Sequence, residues 1–254
     1  LADPSSLKRL AQAFKERVKN HPIVANYKKY GTPMLVSIMN TIGAFPTRYW
    51  SQGKLNGWES ISAESLLEHC DVSPKACPHC FMACGNISKV KQGRHRGLRI
   101  MGPEYETIYA FGGLCMAKSI EDIIYLNDLC DRLGMDTITA GNLVAFAIEA
   151  SEGGKIKERL SYGDVDGIAE ILTKIAYRKG LGRILSEGVR SAAEVWGMED
   201  KAIHVKGLEP AGFDPRVLKG MGLAYATSDR GACHLRATFY KSELSGQIDP
   251  QQIK

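Results

Sequence analysis

The chain has 254 residues, 44% hydrophobic and 24% charged, with a net charge of +5 and seven cysteines. That length supports a real core and one or two domains at a prior of roughly 150 residues each, and no apolar run approaches the roughly 20 residues of a membrane span. No charged-then-apolar leader opens the chain and the odd cysteine count argues against a disulfide framework, so a reducing cytoplasm is expected.

In chain order the sequence reads as helices joined by glycine-rich loops. Leu7, Leu10, Ala11, Phe14 and Val18 recur at helical spacing over residues 5–19, with Ser5 or Ser6 as cap and Asn20-His-Pro22 as stop. A short helix is expected over 31–40 and another over 62–69. Gly102-Pro-Glu-Tyr-Glu-Thr-Ile-Tyr-Ala110 opens a further helix, with Pro103 in its first turn and Glu104 and Glu106 at the positive end of its dipole. Ser119-Ile-Glu-Asp122 resembles a capping box and begins a helix that runs to about Leu133, where Gly134 ends it. Thr139 is placed to cap the next, through Glu149. Helices are also expected over 165–179 and 183–196, and Ala202-Ile-His-Val-Lys206 is the one credible strand. The expected class is all-α with few short strands.

The densest chemistry lies in Cys77-Pro-His-Cys80-Phe-Met-Ala-Cys84, three thiols at C-x2-C-x3-C spacing. Thiolates that close suit an iron–sulfur cluster or zinc equally well by spacing alone. A zinc site would add a histidine such as His79 or His95, whereas a cluster would look for a distant fourth cysteine; packing and disulfide roles compete with both. A basic run follows, with Lys89, Lys91, Arg94, His95, Arg96 and Arg99. It reads first as a solvated loop and second as a docking patch for an acidic redox partner or a screen for a negative cluster. No aromatic residues interleave with it, which argues against nucleic acid.

These motifs in their order resemble the aldehyde ferredoxin oxidoreductases, the tungsten–pterin enzymes. The resemblance rests on Cys77-x2-Cys80-x3-Cys84, Gly102-Pro-Glu-Tyr-Glu106, Asp131-Arg-Leu-Gly-Met-Asp136 and Arg230-Gly-Ala-Cys-His-Leu-Arg236. Gly43-Ala-Phe-Pro-Thr-Arg48, His204-Val-Lys-Gly-Leu-Glu209 and Asp214-Pro-Arg216 support it. It implies that Cys77, Cys80 and Cys84 help to hold a [4Fe–4S] cluster beside tungsten (or molybdenum) bound by two pterins. It implies that Asp131, Gly134 and Asp136 bind a pterin, and that Glu106 and His234 act as acid and base while aldehydes are oxidised and electrons pass to ferredoxin. Arg236 has the forked donors that a pterin phosphate would suit. Read without the resemblance, the Asp-x-x-Gly-x-Asp stretch is an ordinary turn, Glu106 a first-turn helix acid and His234 a partly buried histidine.

The same resemblance divides the chain into a helical middle domain, 1–205, and the start of a C-terminal helical domain, 206–254. The family's amino-terminal β domain, its fourth cluster thiolate and its second pterin motif are expected to lie outside this sequence. The parent is therefore expected to be an enzyme and the fragment inactive. A non-catalytic iron–sulfur or zinc electron-transfer module is the alternative. The loop 74–100 is expected to be mobile or disulfide-linked without a full ligand set. No Glu-x-x-His pair occurs at Ile123-Ile-Tyr-Leu-Asn-Asp128, so no bridging iron is expected, although a homodimer stays open.

Overall fold

A computed structural model describes residues 2–246. The expectation for residues 247–254, the end of the expected C-terminal domain, lies outside the described residues. Twelve α-helices and one small sheet make up the described part, in keeping with the all-α expectation. The elements in order are α1 (Pro4–Val18), α2 (Pro22–Tyr30), α3 (Leu35–Ile42), α4 (Ala63–His69), β1 (Cys70–Lys75), β2 (Gly85–Val90), β3 (Arg99–Met101) and α5 (Tyr105–Ile108). After these come α6 (Ile120–Leu133), α7 (Thr137–Glu152), α8 (Val165–Ala176), α9 (Leu181–Leu185), α10 (Val189–Trp196), α11 (Lys219–Thr227) and α12 (Phe239–Ser245). The α5 helix widens into a π-helical turn, Tyr109–Leu114, so Glu106 and the tyrosines either side of it belong to one continuous helical element.

The core forms around α7. Residues Ala140–Ile148 are buried, so this helix is apolar on every side and takes the centre of the molecule, with the Tyr105–Leu114 element and α6, α8 and α10 packed against it. Local chemistry fixes where α6 and α7 begin. The Ser119 hydroxyl accepts from the Asp122 N–H at 3.1 Å and donates to the Asp122 carboxylate at 2.8 Å, and Gly134 closes α6 in the left-handed conformation (φ 70°). The next cap is Asp136 and not Thr139: the Asp136 carboxylate accepts from the Thr139 N–H at 2.8 Å.

Several expectations are corrected. The expected strand 202–206 reduces to a single Val205–Leu208 bridge, because Lys206 and Gly207 turn the chain through positive φ. The real strands are β1, β2 and β3, antiparallel neighbours in that order, with Cys70 opposite Val90 and Lys75 opposite Gly85. Pro74 is accommodated because β1 is an edge strand. The expected helix 183–196 is two, broken where Gly188 takes φ 91°. α2, α11 and α12 were not foreseen.

The basic run is largely used to fasten the β2–β3 turn to the helices. The Lys91 ammonium caps the end of α4 through the Leu67 and Glu68 carbonyls at 3.2 and 2.9 Å. Arg94 bonds Asp122 at 3.0 Å on α6 and both oxygens of Asp166 at 3.1 Å on α8, while His95 stacks on Tyr125 at 4.6 Å. No helix among the described residues is long and apolar enough to cross a membrane.

Candidate redox site

Two groupings carry chemistry: a thiol-bearing hairpin and a cavity next to a buried carboxyl–imidazole pair. The hairpin comes first in the chain. Cys77, Cys80 and Cys84 occupy the loop between β1 and β2, where the Cys80 N–H donates to the Cys77 carbonyl at 3.0 Å and His79 and Ala83 take positive φ. All three are free thiols, Cys77 and Cys80 exposed and Cys84 half-buried, so of the two states expected for this loop, mobile or disulfide-linked, the structure does not show the second. Burial, then the nearby Glu104 carboxylate, pushes the Cys84 thiol up. The donor set is soft, as an iron–sulfur cluster requires. Among the described residues, however, no three His, Cys, Asp or Glu side chains are drawn together as a metal ion would draw them.

Glu106 and His234 come from distant parts of the chain and meet in space. The Glu106 side chain is largely buried, its Oε2 accepts from the Gly212 N–H at 2.8 Å, and its Oε1 is sealed from solvent with no hydrogen-bond partner. Burial pushes the Glu106 carboxyl up to about 8; the Gly212 N–H opposes that and the Asp136 charge adds to it. Burial holds His234 below its ordinary value. Nε2 of His234 lies 3.8 Å from Oε1 of Glu106, beyond hydrogen-bond length. At neutral pH the contact is therefore a carboxylic acid facing a neutral imidazole, not an ion pair.

His234 opens onto a cavity of about 370 Å³ whose polar lining comes from Asp136, Thr139, Glu209, Arg230 and His234. Glu209 is 3% exposed, accepts from the Thr139 hydroxyl at 3.0 Å and from the Val189 N–H at 3.4 Å, and is pushed up by burial. Carboxyl acceptors beside a guanidinium donor match the mixed donor and acceptor edge of a pterin ring, and the partnerless Glu106 oxygen lies behind His234.

The remaining expected residues are placed differently. Asp136 reaches the cavity with one oxygen already engaged as the α7 cap, whereas Asp131 and Gly134 do not line it; Asp131 accepts from Asn127 at 2.9 Å. Arg236 is exposed and paired with Asp229 at 3.2 Å. Arg230, at the other end of the same motif, is the arginine on the cavity. Reading the sequence singled out neither Arg230 nor Glu209 as a site residue. The clue available was that Glu209 closes and Arg230 opens a stretch already quoted for the resemblance.

The fold has a counterpart in a solved structure, the active-site complex BamBC of benzoyl coenzyme A reductase with 1,5-dienoyl-CoA, at a TM-score of 0.59 over 79% of this chain and 32% of that one. At 20% identity this likeness speaks for the fold alone. Sequence comparison narrows the class: residues 9–254 match the family model described as aldehyde ferredoxin oxidoreductase, domains 2 and 3. The chain belongs to the aldehyde ferredoxin oxidoreductase family. It is 33% identical to a tungsten-containing aldehyde ferredoxin oxidoreductase of Thermococcus kodakarensis over 93% of its length, and 31% identical to one of Pyrococcus furiosus over all of it. An aliphatic sulfonate oxidoreductase WOR-like subunit of Pyrococcus furiosus is 32% identical over 65% of the chain. The chain spans 40% and 43% of the first two relatives, so it corresponds to part of an enzyme of this family.

Proposed function

We propose that this chain supplies the acid–base pair, one pterin-facing wall and three cluster thiolates of a cytoplasmic tungsten–pterin oxidoreductase that oxidises aldehydes to carboxylic acids and reduces ferredoxin. The observation that carries the reading is the neutral Glu106–His234 contact, with its partnerless oxygen, next to a polar cavity. When bound, the tungsten–pterin group would accept two electrons from substrate and the cluster would pass them on singly.

The chain's own residues would do the rest. Oxidation of an aldehyde hydrate releases an O–H proton, which the neutral His234 imidazole is placed to accept. Glu106 keeps a proton in reserve on the side that faces His234, because its other oxygen already accepts from Gly212. Asp136 and Arg230 would orient the pterin, Arg230 through a fork able to bind an anion bidentately. The same reading assigns Asp131 and Gly134 to a pterin and Arg236 to its phosphate. Cys77, Cys80 and Cys84 would hold the [4Fe–4S] cluster as thiolates, the metal charge overcoming the upward push on Cys84.

The test is metal analysis of the full-length protein, coupled to aldehyde-dependent reduction of ferredoxin. Tungsten or molybdenum with iron, together with turnover, is the expected result. Zinc alone and no turnover would leave a metal-binding module in place of an enzyme.

A further inference from the structure

The segment Glu209–Asp214 crosses the interior with neither helix nor strand, and all six residues are buried. Water cannot satisfy its backbone, so other groups must. Three consecutive carbonyls each accept from a tyrosine hydroxyl: Pro210 from Tyr109 at 2.8 Å, Ala211 from Tyr225 at 3.2 Å, and Gly212 from Tyr105. Tyr105 and Tyr109 lie one turn apart on the element that also carries Glu106, and Tyr225 comes from α11. The space is tight, since a Cβ at 212 would stand 2.6 Å from Cγ of Tyr109.

We propose that Tyr105, Tyr109 and Tyr225 are positioning residues for Glu106: by holding three successive carbonyls they aim the Gly212 N–H at Oε2 and leave Oε1 as the proton-bearing oxygen that faces His234. This rests on the acid–base reading of that pair and assigns the proton to one atom. The Gly212 N–H can only donate, so Oε2 is committed as an acceptor and the carboxyl proton belongs on the other oxygen, the one without a protein partner. The titratable and charged groups around the carboxyl are His234, Asp136, Tyr105, Tyr109, Tyr225 and Tyr240. Burial and Asp136 favour the neutral acid, and the Gly212 N–H is what draws the other way. Releasing the clamp removes the donor that favours the carboxylate, so the titration of Glu106 moves to higher pH.

Carbon NMR of the full chain labelled at glutamate carboxyls reads this directly, with Glu106→Gln identifying the resonance. In the unmodified chain the Gly212 amide nitrogen is expected to follow the Glu106 titration. Tyr105→Phe is expected to raise the midpoint by about half a unit or more, and Tyr225→Phe, which leaves the Ala211 carbonyl its bond from the Phe213 N–H at 2.7 Å, by less in the same direction. Folded variants that lose thermal stability while the midpoint stays put would mean that the tyrosines merely satisfy buried carbonyls, and would overturn the proposal. If Tyr105→Phe fails to fold, Tyr225→Phe decides; a Gly212 amide that ignores the titration in the unmodified chain overturns the proposal without any variant. Turnover is not read here, so failure leaves the acid–base reading standing, whereas parental turnover in Glu106→Gln would sink that reading separately.

Discussion

Oε1 of Glu106 and Nε2 of His234 stand 3.8 Å apart, facing each other and too far for a direct hydrogen bond. In the full-length enzyme Glu106→Gln and His234→Asn are each expected to keep pterin and cluster bound and to lower kcat by roughly 10²-fold, the usual contribution of a positioned acid or base. Turnover at the parental rate in both variants would remove their assigned role.

Glu106 also makes stability depend on pH. Its folded value of about 8 lies above the ordinary 4.5, so the folded state binds more protons between those limits. The sign follows: its contribution is fully present below about 4.5 and is lost as pH rises through about 8. The loss is on the order of 4 kcal/mol at most, since the side chain is not wholly buried. Urea unfolding from pH 5 to 9 should show this decline in the parent and a flatter profile in Glu106→Gln; parallel profiles would contradict it.

Asp136 has two tasks, and two substitutions separate them. Asp136→Ala removes the α7 cap and should cost about 1 kcal/mol of stability, whereas Asp136→Asn keeps a capping acceptor and should cost little. If Asp136 also faces the pterin, tungsten and pterin contents should fall together in both variants. Parental cofactor content in Asp136→Asn would reduce the residue to its cap.

The cysteine loop is joined to the sheet by paired strands and not by the sulfurs, so the sheet should survive without them. Replacing Cys77, Cys80 and Cys84 together by Ser should abolish iron uptake on anaerobic reconstitution while moving unfolding stability by no more than about 0.5 kcal/mol, as for surface changes away from structural features. Iron counting and a denaturant curve on the same preparation check both halves. Undiminished iron binding in the triple variant would place the cluster elsewhere.

Legibility in the sequence tracked the range of the interactions. The α6 helix could be read because its start and stop are written locally, in Ser119, Asp122 and Gly134. The sheet could not: Cys70–Lys75 holds one β-branched residue and a proline, and becomes a strand because Gly85–Val90 pairs with it. At the site, Glu106 and His234 were named from motifs, yet nothing in those motifs gives their separation or the orphaned oxygen. Glu209 and Arg230 were passed over for a similar reason, since an acid ending one stretch and an arginine opening another acquire a common purpose only when the chain folds both onto one cavity. The basic run shows the converse, because Arg94 looks like surface charge until Asp122 and Asp166 are seen around it.

The close fit between Gly212 and the Tyr109 ring bears on how this protein can change over generations. A methyl group at 212 meets an aromatic ring that is itself enclosed, so the two positions are not free to drift apart. The blocking atoms include Cβ and Cγ of Tyr109, at 2.9 and 2.6 Å, so trimming the outer ring does not make room and the backbone itself would have to part. Lineages that keep this path of the chain are thereby confined to glycine at 212.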